Sequence, residues 1–226
     1  MITGAAFCPH PPSLVPQVAR GAAPELEALR AACRTAIRRI AAPGARLVVL
    51  GSAAESGRYP ASARGSFAGY GVDVEVTLGG AAAGPAVLPL SLAVGAWLLR
   101  DALGVDATAD GIAVAAGGPT PDLDPEPVAL VVMGDGSARR SLTAPGYLDE
   151  RAEGYDAQVA TALAGGRPEA LAVDAALGTD LLAAGVPAWR VAADLLDGGP
   201  GYDAELLYDA APYGVGYLVA VWSAHG

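Results

Sequence analysis

The chain predicts a single α/β domain over residues 1–226, with a central, mostly parallel or mixed sheet flanked by helices on both faces. Three observations lead there. Short apolar runs of strand length alternate with longer segments of helical periodicity. Hydrophobic residues make up 53% of the chain and charged ones 17%, which allows a sizeable core in 226 residues. No internal repeat or low-complexity linker divides the sequence.

The elements follow in order. Ile2 to Phe7 is a short apolar run that reads as the first strand. Pro24 suits a first helical turn and Glu25 and Glu27 its amino end, after which Leu26, Leu29, Cys33, Ile37 and Ile40 recur at helical spacing. Arg30, Arg34 and Arg38 are expected on the wet face, and Pro43-Gly44 ends the element. Arg46 to Leu50 reads as a buried strand. Val72 to Leu78 alternates apolar residues with Asp73, Glu75 and Thr77, as a strand with one wet face does. An apolar helix is expected from about Pro89 to Leu103, then a strand at Ile112 to Ala116. Pro127 to Met133 is the clearest interior strand. Asp149 to Ala164 reads as a helix with an acidic start, followed by shorter helices near Pro168 to Ala176 and Pro187 to Leu196. Leu206 to Trp222 suits a closing strand pair.

Composition excludes several partners. All 14 basic residues are arginine, and the formal charge is −10. Such a surface repels phosphate backbones and anionic lipid, so neither nucleic acid nor a membrane is an expected partner. Val76 to Leu99 carries no charge, but Gly79, Gly80, Gly84, Pro85 and Pro89 interrupt it, and the helix it leaves is too short for a span. The chain opens on a strand without a basic leader, so a cytoplasmic location is expected. Cys8 and Cys33 make no disulfide framework; Cys33 reads as core, and Cys8 as a small buried hydrophobe, with a ligand role or support of His10 two residues on as the alternative. The apolar content and the uncharged segment also suit a homodimer.

One histidine stands out. In Cys8-Pro9-His10-Pro11-Pro12, prolines fix φ and force extended geometry on the residues before them. That holds an imidazole at the carboxyl end of a strand, where open α/β sheets place their ligands. Two more polar turns follow strands, Gly51–Gly57 and Gly134–Arg140. Gathered on one sheet edge, the three would bring His10, Glu55, Asp135, Ser137, Arg139 and Arg140 within reach of each other. The plain alternative is ordinary turn chemistry, since Gly, Ser and Asp are turn formers. Standard motifs are missing: there is no phosphate loop, dinucleotide fingerprint, nucleophile elbow or zinc spacing.

These residues carry a resemblance. Pro9-His10-Pro11-Pro12-Ser13-Leu14-Val15-Pro16, the run Val131-Val132-Met133-Gly134-Asp135-Gly136-Ser137-Ala138-Arg139, the segment Gly154-Tyr155-Asp156 to Leu163, and Tyr208 to Tyr217 occur in an order that resembles the subunit-B-like class III extradiol ring-cleavage dioxygenases. That group includes protocatechuate 4,5-dioxygenase-type enzymes and Memo-like proteins, and the last segment is similar to that of many actinobacterial members. The resemblance implies a subunit-B-like fold, and in active members non-haem Fe(II) on two histidines and a carboxylate. It makes His10 the first ligand. The turn that should hold the second reads Ser52-Ala53-Ala54-Glu55-Ser56, where Glu55 is the only strong ligand type, and Asp180 is the carboxylate nearest the third position. The family's acid/base histidine falls at Ala138, so no catalytic residue is assigned.

The expected protein is therefore a degenerate relative with a weak or lost metal site. Without a histidine base it forgoes much of the roughly 10²–10⁴-fold typical of acid–base catalysis. It would bind a small molecule, aromatic in the family's manner, or a partner in the ancestral cleft, with Asp135, Ser137 and Arg139 as contacts. Two alternatives stand beside this: an active Fe(II) oxygenase using His10, Glu55 and Asp180, and a metal-independent hydrolase or transferase using Asp135, Ser137 and the Arg139-Arg140 pair.

Overall fold

The computed structural model describes residues 1–123 and 125–225. In chain order its elements are β1 (Ile2–Cys8), α1 (Pro16–Ala19), α2 (Glu27–Ile40), β2 (Arg46–Ser52), β3 (Gly57–Tyr59), β4 (Arg64–Ser66), β5 (Glu75–Thr77) and α3 (Leu90–Leu103). Then come β6 (Ala109–Val114), β7 (Val128–Met133), α4 (Arg151–Gly165), α5 (Ala175–Asp180), α6 (Val186–Leu196), β8 (Tyr202–Ala210) and β9 (Tyr217–Ala224). Seven strands form one mixed sheet in the order β3-β6-β2-β7-β1-β9-β8, and β4 pairs with β5 alone.

β7 explains the centre of the sheet. All six of its residues are buried, and it pairs in parallel with β1 on one side and β2 on the other. A strand covered on both faces needs apolar residues throughout, and VALVVM supplies them. β6 runs parallel to β2, so β1, β2, β6 and β7 all end at the same edge. β9 runs antiparallel to β1 and sends its preceding turn, residues 211–216, back to that edge.

Helices cover both faces. α2 and α3 pack over Ala6, Cys8, Val49, Val131 and Met133; α4 and α6 pack over Phe7, Val48, Leu50, Leu130 and Val132. The alternation of neighbouring strand residues between the two cores is the period of two made visible. On the second face the Phe7 and Trp222 rings lie 5.0 Å apart, and the indole N–H of Trp222 donates to the Leu163 carbonyl at 2.7 Å. Among the described residues no helix is long and apolar enough to cross a membrane.

Four sequence expectations change. The run from Val72 to Leu78 does not join the main sheet; only Glu75–Thr77 is strand, paired with Arg64–Ser66, and the left-handed backbone at Gly80 turns the chain away toward α3. The segment Pro168 to Ala176 is not one helix. Pro168–Leu171 is a single 3-10 turn, and α5 restarts at Ala175 because the Asp174 carboxylate caps the amides of Ala176 and Leu177. Pro24 sits within a 3-10 segment, Arg20–Leu26, ahead of α2. Arg30 is not on a wet face but buried, its guanidinium bound to Glu27 and to the carbonyls of Leu14 and Ala23. Arg34 reaches Asp101, and Arg38 donates to the Ala102 carbonyl, so this row clamps α2 to the end of α3.

Candidate functional site at the strand-end rim

The proline turn places His10 on the rim and buries it, 7% exposed. Its backbone N–H donates to Asp135 Oδ1 at 2.6 Å, while its ring Nδ1 lies 3.7 Å from the same oxygen. That second separation exceeds a hydrogen bond, and Nδ1 is buried with no hydrogen-bond partner. The alignment follows from register. Cys8 pairs with Met133, the Gly134 amide donates to the Cys8 carbonyl, and Asp135 comes directly beside the turn. Tyr217, also buried, lies close enough that the Asp135 charge adds to burial in pushing its phenol up.

The rest of the Gly134–Arg140 loop turns inward. Asp156, 1% exposed on α4, accepts from the Ser137 amide at 2.8 Å and from Arg140 Nη1 at 3.0 Å. Burial pushes the Asp156 carboxyl above its ordinary range, opposed by the Ser137 amide and the Arg140 guanidinium. The 211–216 turn closes over the pair: Gly136 donates to the Gly216 carbonyl, Gly216 to that of Ser137, and Arg140 to that of Gly214. A side chain at Gly216 would collide with the Asp156 carboxylate. Ser137 is fully buried, its hydroxyl donating to the Leu181 carbonyl and accepting from the Arg139 amide. Arg140 and Ser137 thus build the loop, and Ser137, expected as a substrate contact, has a hydroxyl with no exposed surface. Arg139 is half-buried with its Nε unpartnered, and Ala138 beside it holds no proton-transfer group.

The three expected metal ligands are not brought together. Glu55 is exposed. Asp180 is exposed at the end of α5 and faces Arg151 at 3.4 Å. The second histidine, His225, lies past the end of β9 at the opposite edge, beside Asp203 at 3.2 Å. Among the described residues no three His, Cys, Asp or Glu side chains form a group able to hold a metal ion. The donor set in place does not fit a two-histidine, one-carboxylate Fe(II) centre, which needs both imidazoles on one face of the metal.

The same edge carries an apolar cavity of about 560 Å³. It lies between the Ala116-Gly117 turn after β6 and the chain around Gly178, Leu182, Ala183, Val186 and Pro187. Two bonds fix that stretch to the rim: the Gly185 amide donates to the Asp135 carbonyl at 2.8 Å, and the Ala188 amide to Ser52 Oγ at 3.2 Å. Asp135 therefore ties His10 on one side to the cavity wall on the other.

Sequence reasoning brought out His10 and Asp135, which do meet. It missed the roles of Asp156 and of the cavity. Asp156 had a signal, a carboxylate among Ala152, Tyr155, Val159 and Leu163 on the buried face of α4. The cavity had none, because alanine, glycine and proline in a loop look alike whether they line a void or meet solvent. Comparison with protein-family models gives no match for this chain, and comparison with curated proteins gives none either.

Proposed function

We propose that the protein is a metal-independent, small-molecule-binding relative of the class III extradiol dioxygenases. Support for the kinship is the order of the His10, Gly134–Arg139 and Tyr208–Tyr217 segments. The observation that carries the functional reading is the apolar cavity of about 560 Å³ on the edge where four parallel strands end. Open α/β sheets bind ligands there, and a void of that size suits a small molecule.

In this reading the rim's polar groups keep shape. Asp135 fixes His10, and Asp156 fixes the loop that faces it. Proton removal from a bound diol has no histidine at position 138 to perform it, and Glu55 and Asp180 serve the surface.

The test uses untagged protein loaded with Fe(II) without oxygen, then given catechol or protocatechuate in air. No ring-fission product is expected, and His10→Ala behaves as the parent does. Yellow product that disappears in His10→Ala would overturn the reading and restore the oxygenase. Small apolar molecules are expected to raise the unfolding temperature by linkage, without added metal.

A further inference from the structure

The cavity's lining carries chemistry of its own. Its walls are aliphatic, from Leu182, Ala183, Val186 and Pro187, and no aromatic ring offers a stacking face. Among the described residues Thr179 gives the only hydroxyl on the wall, and it donates to the Ala175 carbonyl. Gly178 forms part of the wall, and a side chain there would strike both Val186 and the Tyr155 hydroxyl, which is buried and has no hydrogen-bond partner.

The chain at Leu182 and in the loop beside it is strained. Leu182 and Tyr147 both take left-handed backbone, with φ of 57° and 59°. For residues with a Cβ this costs roughly 1–2 kcal/mol each. Neither residue gains burial in return, since Leu182 is 47% and Tyr147 62% exposed. The two belong together, because the Leu182 side chain rests against Gly146, the residue before Tyr147. Strain held at exposed apolar side chains beside a void is what ligand sites show.

One charge lines the cavity. Arg190, on α6, gives one guanidinium hydrogen bond to the Val173 carbonyl at 3.0 Å, and among the described residues no ion pair neutralises it. Its remaining donors form a fork suited to a carboxylate.

We propose that this cavity binds an aliphatic monocarboxylate, its tail against Leu182, Ala183 and Val186 and its head group on Arg190. The proposal rests on the small-molecule reading above and names the ligand class. An aromatic diol fits less well, because no aromatic ring among the described lining residues stacks on it and the Thr179 hydroxyl already donates to the Ala175 carbonyl.

Calorimetric titration of the full chain with octanoate, 1-octanol and benzoate, all below micellar concentration, tests it. Octanoate is expected to bind one per chain and at least tenfold more tightly than octanol, a gap of about 1.4 kcal/mol. Benzoate should bind more weakly than octanoate. Arg190→Gln should bring octanoate to the octanol level while leaving octanol binding unchanged. Ala184→Trp, at an exposed wall position, should block both ligands. Amide shift mapping on the parent protein gives a second readout that needs no variant, with octanoate shifts expected at Gly117, Gly178 and Leu182. Equal binding of octanoate and octanol, both blocked by Ala184→Trp, would overturn the carboxylate proposal and leave the small-molecule reading standing. Tighter binding of benzoate than octanoate would overturn the aliphatic class. Binding with no shifts at those amides would overturn the site, and no binding of any of the three would remove both readings.

Discussion

Two halves of one rim are built in opposite ways. Around Asp156 the edge is packed with polar groups that meet each other: a carboxylate, a guanidinium, the loop amides of Gly136, Ser137 and Arg140, and a turn that lies over them. Around Leu182 and Pro187 the edge is apolar, strained and open. The first half keeps its shape by internal bonds, and the second keeps space. A rim that served iron would need polar ligands pointing outward, and here the inward half has taken the polar residues.

The largest expected effect breaks the packed half. Asp156→Ala removes the acceptor of Ser137 and Arg140 and should cost about 3 kcal/mol, the low end for a broken buried pair because Arg140 keeps 20% exposure. Urea unfolding measures it. Asp156→Asn should cost clearly less, since it keeps an acceptor for the Ser137 amide. The sign of the pH dependence follows from the raised folded value. Unfolded Asp156 ionises at a lower pH than folded Asp156, so this residue takes stability away as pH rises through its folded value. Asp156→Asn should remove that slope, and an unchanged slope would count against a desolvated carboxyl.

Gly216→Ala comes next. The new methyl meets the Asp156 carboxylate, and overpacking of that kind costs about 1–3 kcal/mol. It should move the urea midpoint without changing octanoate affinity. A change in affinity larger than the change in stability would mean the two halves are coupled more tightly than the Ser137 bond to the Leu181 carbonyl implies.

Leu182→Gly should do the reverse. It relieves left-handed strain and removes apolar wall, so stability should stay within about 1 kcal/mol of the parent while octanoate binding falls. Stability lost without a binding effect would make Leu182 a packing residue and the open half an accident of loops.

The smallest effect lies at the start of α4. Arg151 donates to Asp149 through its guanidinium and its amide, and holds the Asp149 carboxyl down at about 2. A depressed carboxyl contributes above its unfolded value, so protection of the first α4 amides from exchange should fall as pH drops from about 4 toward 2. Asp149→Asn should flatten that fall.

The rim's location was legible in the chain and its interior was not. β7 could be read as the central strand because a strand buried on both faces must be apolar throughout, and Val128 to Met133 leaves no other choice. His10 and Asp135 could be paired because two strand-end turns on parallel strands share an edge. What Ser137 and Arg140 face could not be read, since their partner Asp156 is 19 and 16 residues further on and only the packing of α4 brings it back. Arg30 misled for a similar reason. Its helical position is shared with Arg34 and Arg38, but carbonyls from Leu14 and Ala23 fold over it.

The central claim is the proposal that this rim holds no iron and offers a binding cavity. Proton relaxation on titration with Mn(II), a spectroscopic stand-in for Fe(II), tests it most directly by resonance. The account expects no stoichiometric broadening centred on His10, and the same spectrum from His10→Ala. One-to-one broadening at His10 with Glu55 and Asp180, lost in His10→Ala, would contradict it.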